Sequence, residues 1–571
     1  MKTERRPLKW LFSKCRGQFL FLCIVVFCNV LFAASSVMLA LLVREVIDSA
    51  TFVAEEASAL SRLFQAGIYA GGLILLQLLL RFLCRYLGDK LTAGIELFLR
   101  KDMYKTLLCR EYGKINAYHS GELMTRLYSD ISIVADGAST ILPNVASIIT
   151  RLICAVGVMA FLEWRFTVFF FVGGTVIFLV SRLFSGKLKS MHLDMQKADG
   201  VARSFMQESL GSLIVINAFD AQDATSARSD NLQNVHFAAK MKKKLLGALA
   251  GVGFAAIFKI GYFAALFYCS LSLAGVVPTS SLMTYGTLMA ILQLVNQIQM
   301  PLGSLSGVLP KFYGMCASIE RLWELEKIPE VCREGIPSMT AGEFYESLIS
   351  VDFSDATFSY DRDTILENAD LVINKGDFCV ITGLSGIGKS TLMKLLLDVY
   401  RPQSGQVSFC TETGDISVSD RPQGIFAYVP QGNLLFSGTI RDNISFVKVD
   451  ANEAEILSAA RAACVLDFID DLPNGLDTVI GESGFGLSEG QAQRISIARA
   501  LLSGAPILLL DESTSALDEN TEYRLLSELS HLRDRTLVII SHKKAAFDIC
   551  DYEIVISDKK IEKRELKHDS R

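Results

Sequence analysis

FCVITGLSGIGKST, running from Phe378 to Thr391, decides how the second half of this chain folds. Phe378–Thr382 is a short run of mostly apolar, β-prone residues and reads as a buried strand. A glycine-rich loop follows, and a helix is predicted to start near Lys389. The spacing G-x-x-x-x-G-K-S is met by Gly383, Gly388, Lys389 and Ser390. The glycines let backbone N–H groups curl around phosphate oxygens, Lys389 can reach the β- and γ-phosphates, and the Ser390 hydroxyl can ligate Mg²⁺. The turn through Gly383, Leu384, Ser385, Gly386, Ile387, Gly388, Lys389, Ser390 and Thr391 is therefore the expected ATP cradle.

Working outward, short β-branched runs alternate with helical ones: STLMKLLLDVY, then PILLLDE, then RTLVIIS. That alternation predicts an α/β domain with a parallel sheet and crossover helices. PILLLDE ends in Asp511 and Glu512. A carboxylate at the carboxyl end of a core strand beside the phosphate loop is placed to hold Mg²⁺, which is the role expected of Asp511. Glu512 is then the candidate general base for an attacking water.

The first half is different in kind. The chain has 571 residues, is 51% hydrophobic and only 20% charged, and its mean hydropathy is +0.35. Six apolar runs account for this: Phe19–Val43, Leu63–Leu80, Ile141–Leu162, Phe166–Leu179, Leu245–Leu273 and Leu282–Leu309. Each approaches or exceeds the length that crosses a bilayer. Two connections are short, Glu163–Arg165 and Val276–Ser281. Two are long, charged and helical in pattern, about Arg85–Ala138 and Ser181–Lys244. Lys and Arg crowd the N-terminal segment and both long connections, whereas the loop Asp48–Glu56 is acidic. The positive-inside bias places the N-terminus and long connections in the cytoplasm, and the membrane expected is the cell (plasma or inner) membrane. The division expected is a six-helix all-α transmembrane domain over 1–325, a linker over 326–345 and the α/β P-loop domain over 346–571. A net charge of −5 speaks against a nucleic-acid binder. The thirteen cysteines show no CxxC and no metal-ligand spacing, so reduced, structural cysteines are expected.

The P-loop half resembles the nucleotide-binding domain of an ATP-binding cassette (ABC) transporter. The resemblance spans that whole half and implies further roles. Tyr360 in FSYDRD matches the aromatic that stacks on adenine. Gln431 in YVPQGNLLFSGTIRDNI matches the Q-loop glutamine, which contacts Mg²⁺ or the attacking water. Ser515–Asp518 match the D-loop, and His542 in VIISHK matches the switch histidine that braces the γ-phosphate. The run Leu487-Ser488-Glu489-Gly490-Gln491 matches the signature loop. In this family two nucleotide domains meet head to tail, so Ser488, Gly490 and Gln491 would close over ATP bound by a second half-transporter. The dimer could be homomeric or heteromeric. Glu489 stands where the family prefers Gly; it reads either as a tolerated, solvent-pointing variant or as the mark of a heteromeric pair.

HSGELMTRLYSDI, MQESLGSLIVINAFDAQ and YGTLMAILQLVNQIQMPLGSL resemble parts of the exporter-type membrane domain. Short coupling helices are expected by resemblance around Arg110–Tyr118 and Asn217–Thr225. The implied activity is ATP hydrolysis coupled to export of a small molecule, lipid or peptide; an exporter-fold importer is the alternative. Ionisable and amide residues inside apolar runs should face a bundle interior. Arg151, Lys259, Gln293, Asn296 and Gln297 are thus expected either to line a cavity suited to an anionic or amphipathic substrate or to hydrogen-bond between helices or snorkel to the inner interface, while Arg81 and Arg85 read as interfacial anchors.

Overall fold

The computed structural model describes residues 5–51, 59–276, 283–331, 339–360, 363–432, 434–481, 484 and 486–566. All but the first residue of the expected connection Val276–Ser281, most of the loop Asp48–Glu56, residues 361 and 362, and the middle of the 326–345 linker lie outside these. The chain divides into two compact units, Met1–Lys105 with Ser120–Glu326, and Thr106–His119 with Lys327–Arg571.

In the first unit the apolar runs become long helices. A short amphipathic helix α1 (Arg5–Lys14) precedes α2 (Phe19–Thr51) and α3 (Ala59–Leu108). The short helices α4 (Tyr112–Ile115) and α5 (Ser120–Thr125) and a π-helical turn, Arg126–Asp130, lead into α6 (Ile131–Leu162). Then come α7 (Trp164–Gly211), the short α8 (Leu213–Ala218), α9 (Gln222–Leu273) and α10 (Tyr285–Glu326). Each of the six expected spans thus falls on its own long helix. Among the described residues, four helical stretches are long and apolar enough to cross a membrane on length and composition: Arg16–Thr51, Ala59–Leu108, Ser120–Leu162 and Gln222–Leu273.

Helices α2, α6, α9 and α10 share one core, with Val37, Ala155, Met159, Ala265, Cys269, Ile291 and Leu294 buried together. Small residues permit the close approaches. A Cβ on Gly137 would lie 2.7 Å from the Met315 sulfur across the α6–α10 contact. Side chains also bond between helices: Thr92 and Ser139 hydroxyls are 2.6 Å apart, and Gln77 Nε2 donates to Ser35 O at 3.0 Å. In hydrocarbon a bond such as that of Gln77 takes the place that apolar burial holds in water.

The second unit begins, in chain order, with α11 (Ala341–Ser347), β1 (Leu348–Tyr360), β2 (Asp363–Asn374), β3 (Phe378–Thr382), α12 (Lys389–Leu396), β4 (Ser404–Thr411) and β5 (Gly414–Ser417). It continues with β6 (Phe426–Val429), β7 (Gly438–Thr439), α13 (Ile440–Ser445), α14 (Glu453–Ala462), α15 (Leu466–Ile469), β8 (Val479–Ile480) and α16 (Glu489–Leu502). It closes with β9 (Ile507–Asp511), α17 (Glu519–Ser530), β10 (Thr536–Ile540), α18 (Lys544–Ile549), β11 (Tyr552–Ser557) and β12 (Lys560–Glu565). A six-stranded sheet runs β12-β11-β3-β10-β9-β6, parallel except for β12. Its central strands β3, β10 and β9 are covered on both faces, which is why they are continuously buried rather than alternating. Phe378 and Val380 point into one core with α13–α17, and Cys379 and Ile381 into the other. That second core is closed by an antiparallel sheet, β2-β1-β4-β5, which the parallel-sheet reading did not anticipate.

The reduced-cysteine expectation needs one correction. Cys109 is disulfide-bonded, whereas the other described cysteines are free. An isolated bridge between Arg110 and Glu330 brings together segments more than two hundred residues apart, a proximity that sequence spacing cannot reveal.

Candidate functional site

Register sets the site. Ile540 pairs with both Ile381 and Asp511, and Leu510 pairs with Val429. The carboxyl ends of β3, β10, β9 and β6 therefore lie side by side, the edge at which open α/β sheets bind ligands. Each strand delivers one expected functional segment there.

From β3 comes the phosphate loop. Gly383, Gly386 and Gly388 have φ of 145°, 79° and 115°, open to glycine and strained for other residues. At Gly388 a Cβ would also lie 2.2 Å from Ile365 Cγ2. Helix α12 starts at Lys389, as the spacing predicted. Leu384, Ser385 and Gly386 are exposed at the loop tip. Lys389 is buried, its ammonium donating to Gly383 O at 2.9 Å and Leu384 O at 3.3 Å. Ser390 Oγ donates to Asp511 Oδ1 at 3.0 Å.

Asp511, at the end of β9, is 1% exposed, and Tyr428 OH donates to its other oxygen at 3.1 Å. Burial pushes its carboxyl pKa up, while the Ser390 and Tyr428 hydrogen bonds oppose the rise. Glu512 adopts φ 47°, an uncommon left-handed conformation for a residue with a side chain, and its N–H donates to Ile540 O. Gln431 Nε2 donates to Glu512 Oε2 at 2.6 Å. Two residues expected to act together on water are thus in direct contact. His542 lies two residues beyond the end of β10 on the same edge and is exposed.

Tyr360 ends β1 with its hydroxyl 3.3 Å from Thr391 Oγ1, which brings the aromatic to the first turn of the phosphate-loop helix. Its ring meets that of Tyr400 edge-on, with centroids 5.3 Å apart. Ser488 caps α16 in a reciprocal box: its hydroxyl accepts from Gln491 N–H at 3.2 Å, and Gln491 Oε1 accepts from Ser488 N–H at 2.8 Å. Gly490 lies close under Ala516, where a Cβ would approach Ala516 O to 2.9 Å. Glu489 is exposed at the first helical position, where a carboxylate complements the helix dipole.

Sequence reading missed Tyr428, whose only signal was its place just before the Q-loop. It also missed the side chains that brace the D-loop, Gln493, Glu522 and Lys543. The expected coupling segments hold short helices, α4 inside Arg110–Tyr118 and α8 at Leu213–Ala218, largely ahead of the Asn217–Thr225 expected. The turn after α8 reverses direction at Asp220 with φ 50°.

In the first unit a cavity of about 510 Å³ is lined by Asn29, Phe32, Thr140, Asn144, Ser147, Arg151 and Lys311, among others. Of the five expected cavity residues only Arg151 lines it. Gln297 instead donates to Ser36 O at 2.6 Å, binding α10 to α2, and Lys259 and Asn296 are exposed on their helices. Helix periodicity placed these residues on a face but could not say which neighbour covered it. Arg81 and Arg85 line a second cavity that shares Asn29, Phe32, Thr140 and Asn144 with the first.

Residues 19–302 match the family model described as ABC transporter transmembrane region, and residues 366–515 the one described as ABC transporter. The chain belongs to the ABC transporter family. This half-transporter is 30% identical over 514 residues to the ATP-dependent lipid A-core flippase of Photobacterium profundum, covering 88% of this chain and 86% of that one. It is 28% identical over 485 residues to ABC transporter B family member 1 of Dictyostelium discoideum, covering 83% of this chain and 51% of that protein, about half its length. A bacterial Atm1-family ABC exporter, solved with ATP bound, shares the fold with a TM-score of 0.78 at 23% identity, covering 97% of this chain and 96% of that one. The transporter couples ATP hydrolysis to export across a membrane, its exporter-type transmembrane domain fused to its ATPase.

Proposed function

We propose that this chain is one half of a dimeric exporter whose cargo is an amphiphile with an anionic head. The observation that carries the catalytic part is the convergence of Lys389, Asp511, Glu512, Gln431 and His542 on one sheet edge, with Gln431 bonded to Glu512. Glu512 takes the proton of the attacking water, Gln431 orients that carboxylate, His542 braces the γ-phosphate, and Tyr360 offers its ring to adenine. Ser390 Oγ and the buried Asp511 carboxylate are hard oxygen donors 3.0 Å apart, a set that suits Mg²⁺. Bound there, Mg²⁺ would neutralise phosphate charge.

We take 1–325 as transport domain, 326–345 as linker and 346–571 as nucleotide domain, with the N-terminus and nucleotide domain in the cytoplasm. One chain carries one phosphate loop and one signature loop, so each complete site needs a second half. Because Glu489 is exposed, a second copy of this chain suffices as partner.

The substrate class rests on two adjoining cavities. The polar one presents Arg151, whose Nε has no hydrogen-bond partner, and Lys311, whose ammonium is paired with Asp136 at 3.0 Å, so that its free positive charge is that of Arg151. The other, about 290 Å³, is lined by Leu22, Leu91, Leu142, Val145 and Phe312 and shares Ile141 with the first. A cationic hollow beside an apolar one suits a charged head with an acyl tail. The relatives named lipid A-core flippases support the same class.

The test is ATP hydrolysis and transport in proteoliposomes. Lys389→Ala and Glu512→Gln should each abolish hydrolysis. Arg151→Ala should remove stimulation by an anionic long-chain amphiphile, leaving basal hydrolysis and any response to a neutral-headed analogue intact. Hydrolysis surviving in either of the first two variants would overturn the catalytic reading, and undiminished stimulation in the third the substrate class.

A further inference from the structure

The turn Ser513–Leu517, which runs into the D-loop at Ser515, is held from two sides by side chains outside the phosphate loop. On one side stands Lys543, the residue after His542. Its ammonium donates to Thr514 O and Leu517 O, both at 2.9 Å, and pairs with Glu522 Oε2 at 3.2 Å. Glu522 is 1% exposed, and its other oxygen accepts from Thr514 Oγ1 at 2.7 Å. Three acceptors around one ammonium leave it a single position, and a buried carboxylate fully engaged in this way resists displacement. The turn is continuous with Glu512, whose carbonyl accepts from Ser515 N–H. Lys543 thereby joins the segment bearing His542 to the segment bearing the hydrolytic carboxylate.

On the other side stands Gln493, buried in the second turn of α16, the helix that the signature loop opens. Its Nε2 donates to Ser515 Oγ at 3.1 Å, and its Oε1 accepts from Ala516 N–H at 3.2 Å. Gly490, in the signature loop, packs so tightly against Ala516 that no side chain fits between them.

We propose that Lys543 and Gln493 are positioning residues that clamp the D-loop turn between the switch segment and the signature helix, so that a site's hydrolytic carboxylate and the signature loop offered to the partner's site move as one piece. This rests on the reading of Glu512 as the base and of the signature loop as acting across the dimer. The clamp converts closure of the signature loop on one nucleotide into placement of Glu512 and His542 at the other, because hydrogen bonds to two carbonyls and a buried carboxylate do not yield separately.

The experiment uses the assembled dimer in lipid. Lys543→Met combined with Glu522→Gln removes the ammonium without stranding a buried charge and keeps an acceptor for Thr514. The expected result is kcat lowered about tenfold with KM for ATP within about twofold, and thermal stability unchanged. Lys543→Arg should recover most of kcat. Gln493→Ala, which disturbs no charge, should lower kcat and bring the Hill coefficient for ATP towards unity. Wild-type kcat and cooperativity in either the double variant or Gln493→Ala would overturn the clamp. So would a loss of kcat that tracks a fall in thermal stability and is not recovered by Arg. Glu512→Gln, run alongside, separates the two claims: if it still hydrolyses ATP the catalytic reading fails, and if it is inactive while the clamp variants are normal only the clamp fails.

Discussion

Asp511 shows what one residue contributes at each end of the trade between stability and function. Its pKa is raised by burial, so the fold favours the protonated carboxyl and the charged form is penalised. The native state then binds more protons than the unfolded chain between the ordinary Asp pKa and the raised one, and stability falls as pH rises through that window. Asp511→Asn should therefore raise the melting temperature of nucleotide-free protein at neutral pH by about 2 °C, on the order of 1 kcal/mol, while abolishing hydrolysis. Calorimetry across the acid range should show the wild-type protein gaining on the variant as pH falls. Glu489 behaves differently because it is exposed. Glu489→Ala should lower stability by about 0.5 kcal/mol through the lost dipole interaction and leave kcat within about twofold. These two carboxylates were both legible as candidates, but only burial separates their behaviour.

At the scale of elements, the start of α10 depends on a side chain from α2. Asp48 accepts from Thr284 Oγ1 and from Gly286 N–H, both at 2.9 Å, and so caps the helix across the bundle. Gly286 is required there, since a Cβ would lie 2.4 Å from Arg44 O and 2.6 Å from Asp48 Oδ1. Asp48→Ala should destabilise the protein by about 1 kcal/mol, as lost caps do. Gly286→Val should cost more, because the colliding partner includes backbone; thermal unfolding in detergent or lipid compares the two. The apolar run Leu282–Leu309 announced a helix in this place. Nothing in its periodicity announced that its cap would come from a residue more than two hundred positions earlier.

At the scale of the whole molecule, the short helix α4 belongs with the nucleotide-binding unit although it is inserted between two membrane helices. Glu111 N–H donates to Pro329 O, Arg110 Nη1 donates to Ile328 O at 2.8 Å, and Gly113 packs on Tyr400, where a Cβ would lie 2.6 Å from the ring. Tyr400 in turn touches Tyr360, the aromatic beside the phosphate loop. Gly113→Leu should push Tyr400 aside and loosen this seat. Transport should then fall by about tenfold more than ATP hydrolysis does, measured in the same proteoliposomes. Equal losses of transport and hydrolysis would show that the contact serves the ATP site alone.

The sequence by itself determined the division into apolar helices and a P-loop sheet, and it singled out Lys389, Ser390, Asp511, Glu512, Gln431 and His542 as candidates. Lys389, Ser390, Asp511 and Glu512 follow from local period and short-range spacing, which depend on backbone geometry within a few residues, whereas Gln431 and His542 were named by resemblance to the family. Only the tertiary structure decided which polar residues line the membrane cavity, that Tyr428 holds Asp511, and that Gln493 and Lys543 grip one turn from opposite sides. Such facts depend on which helix or strand covers which face. That choice is made by packing between segments hundreds of residues apart, and no local pattern records it.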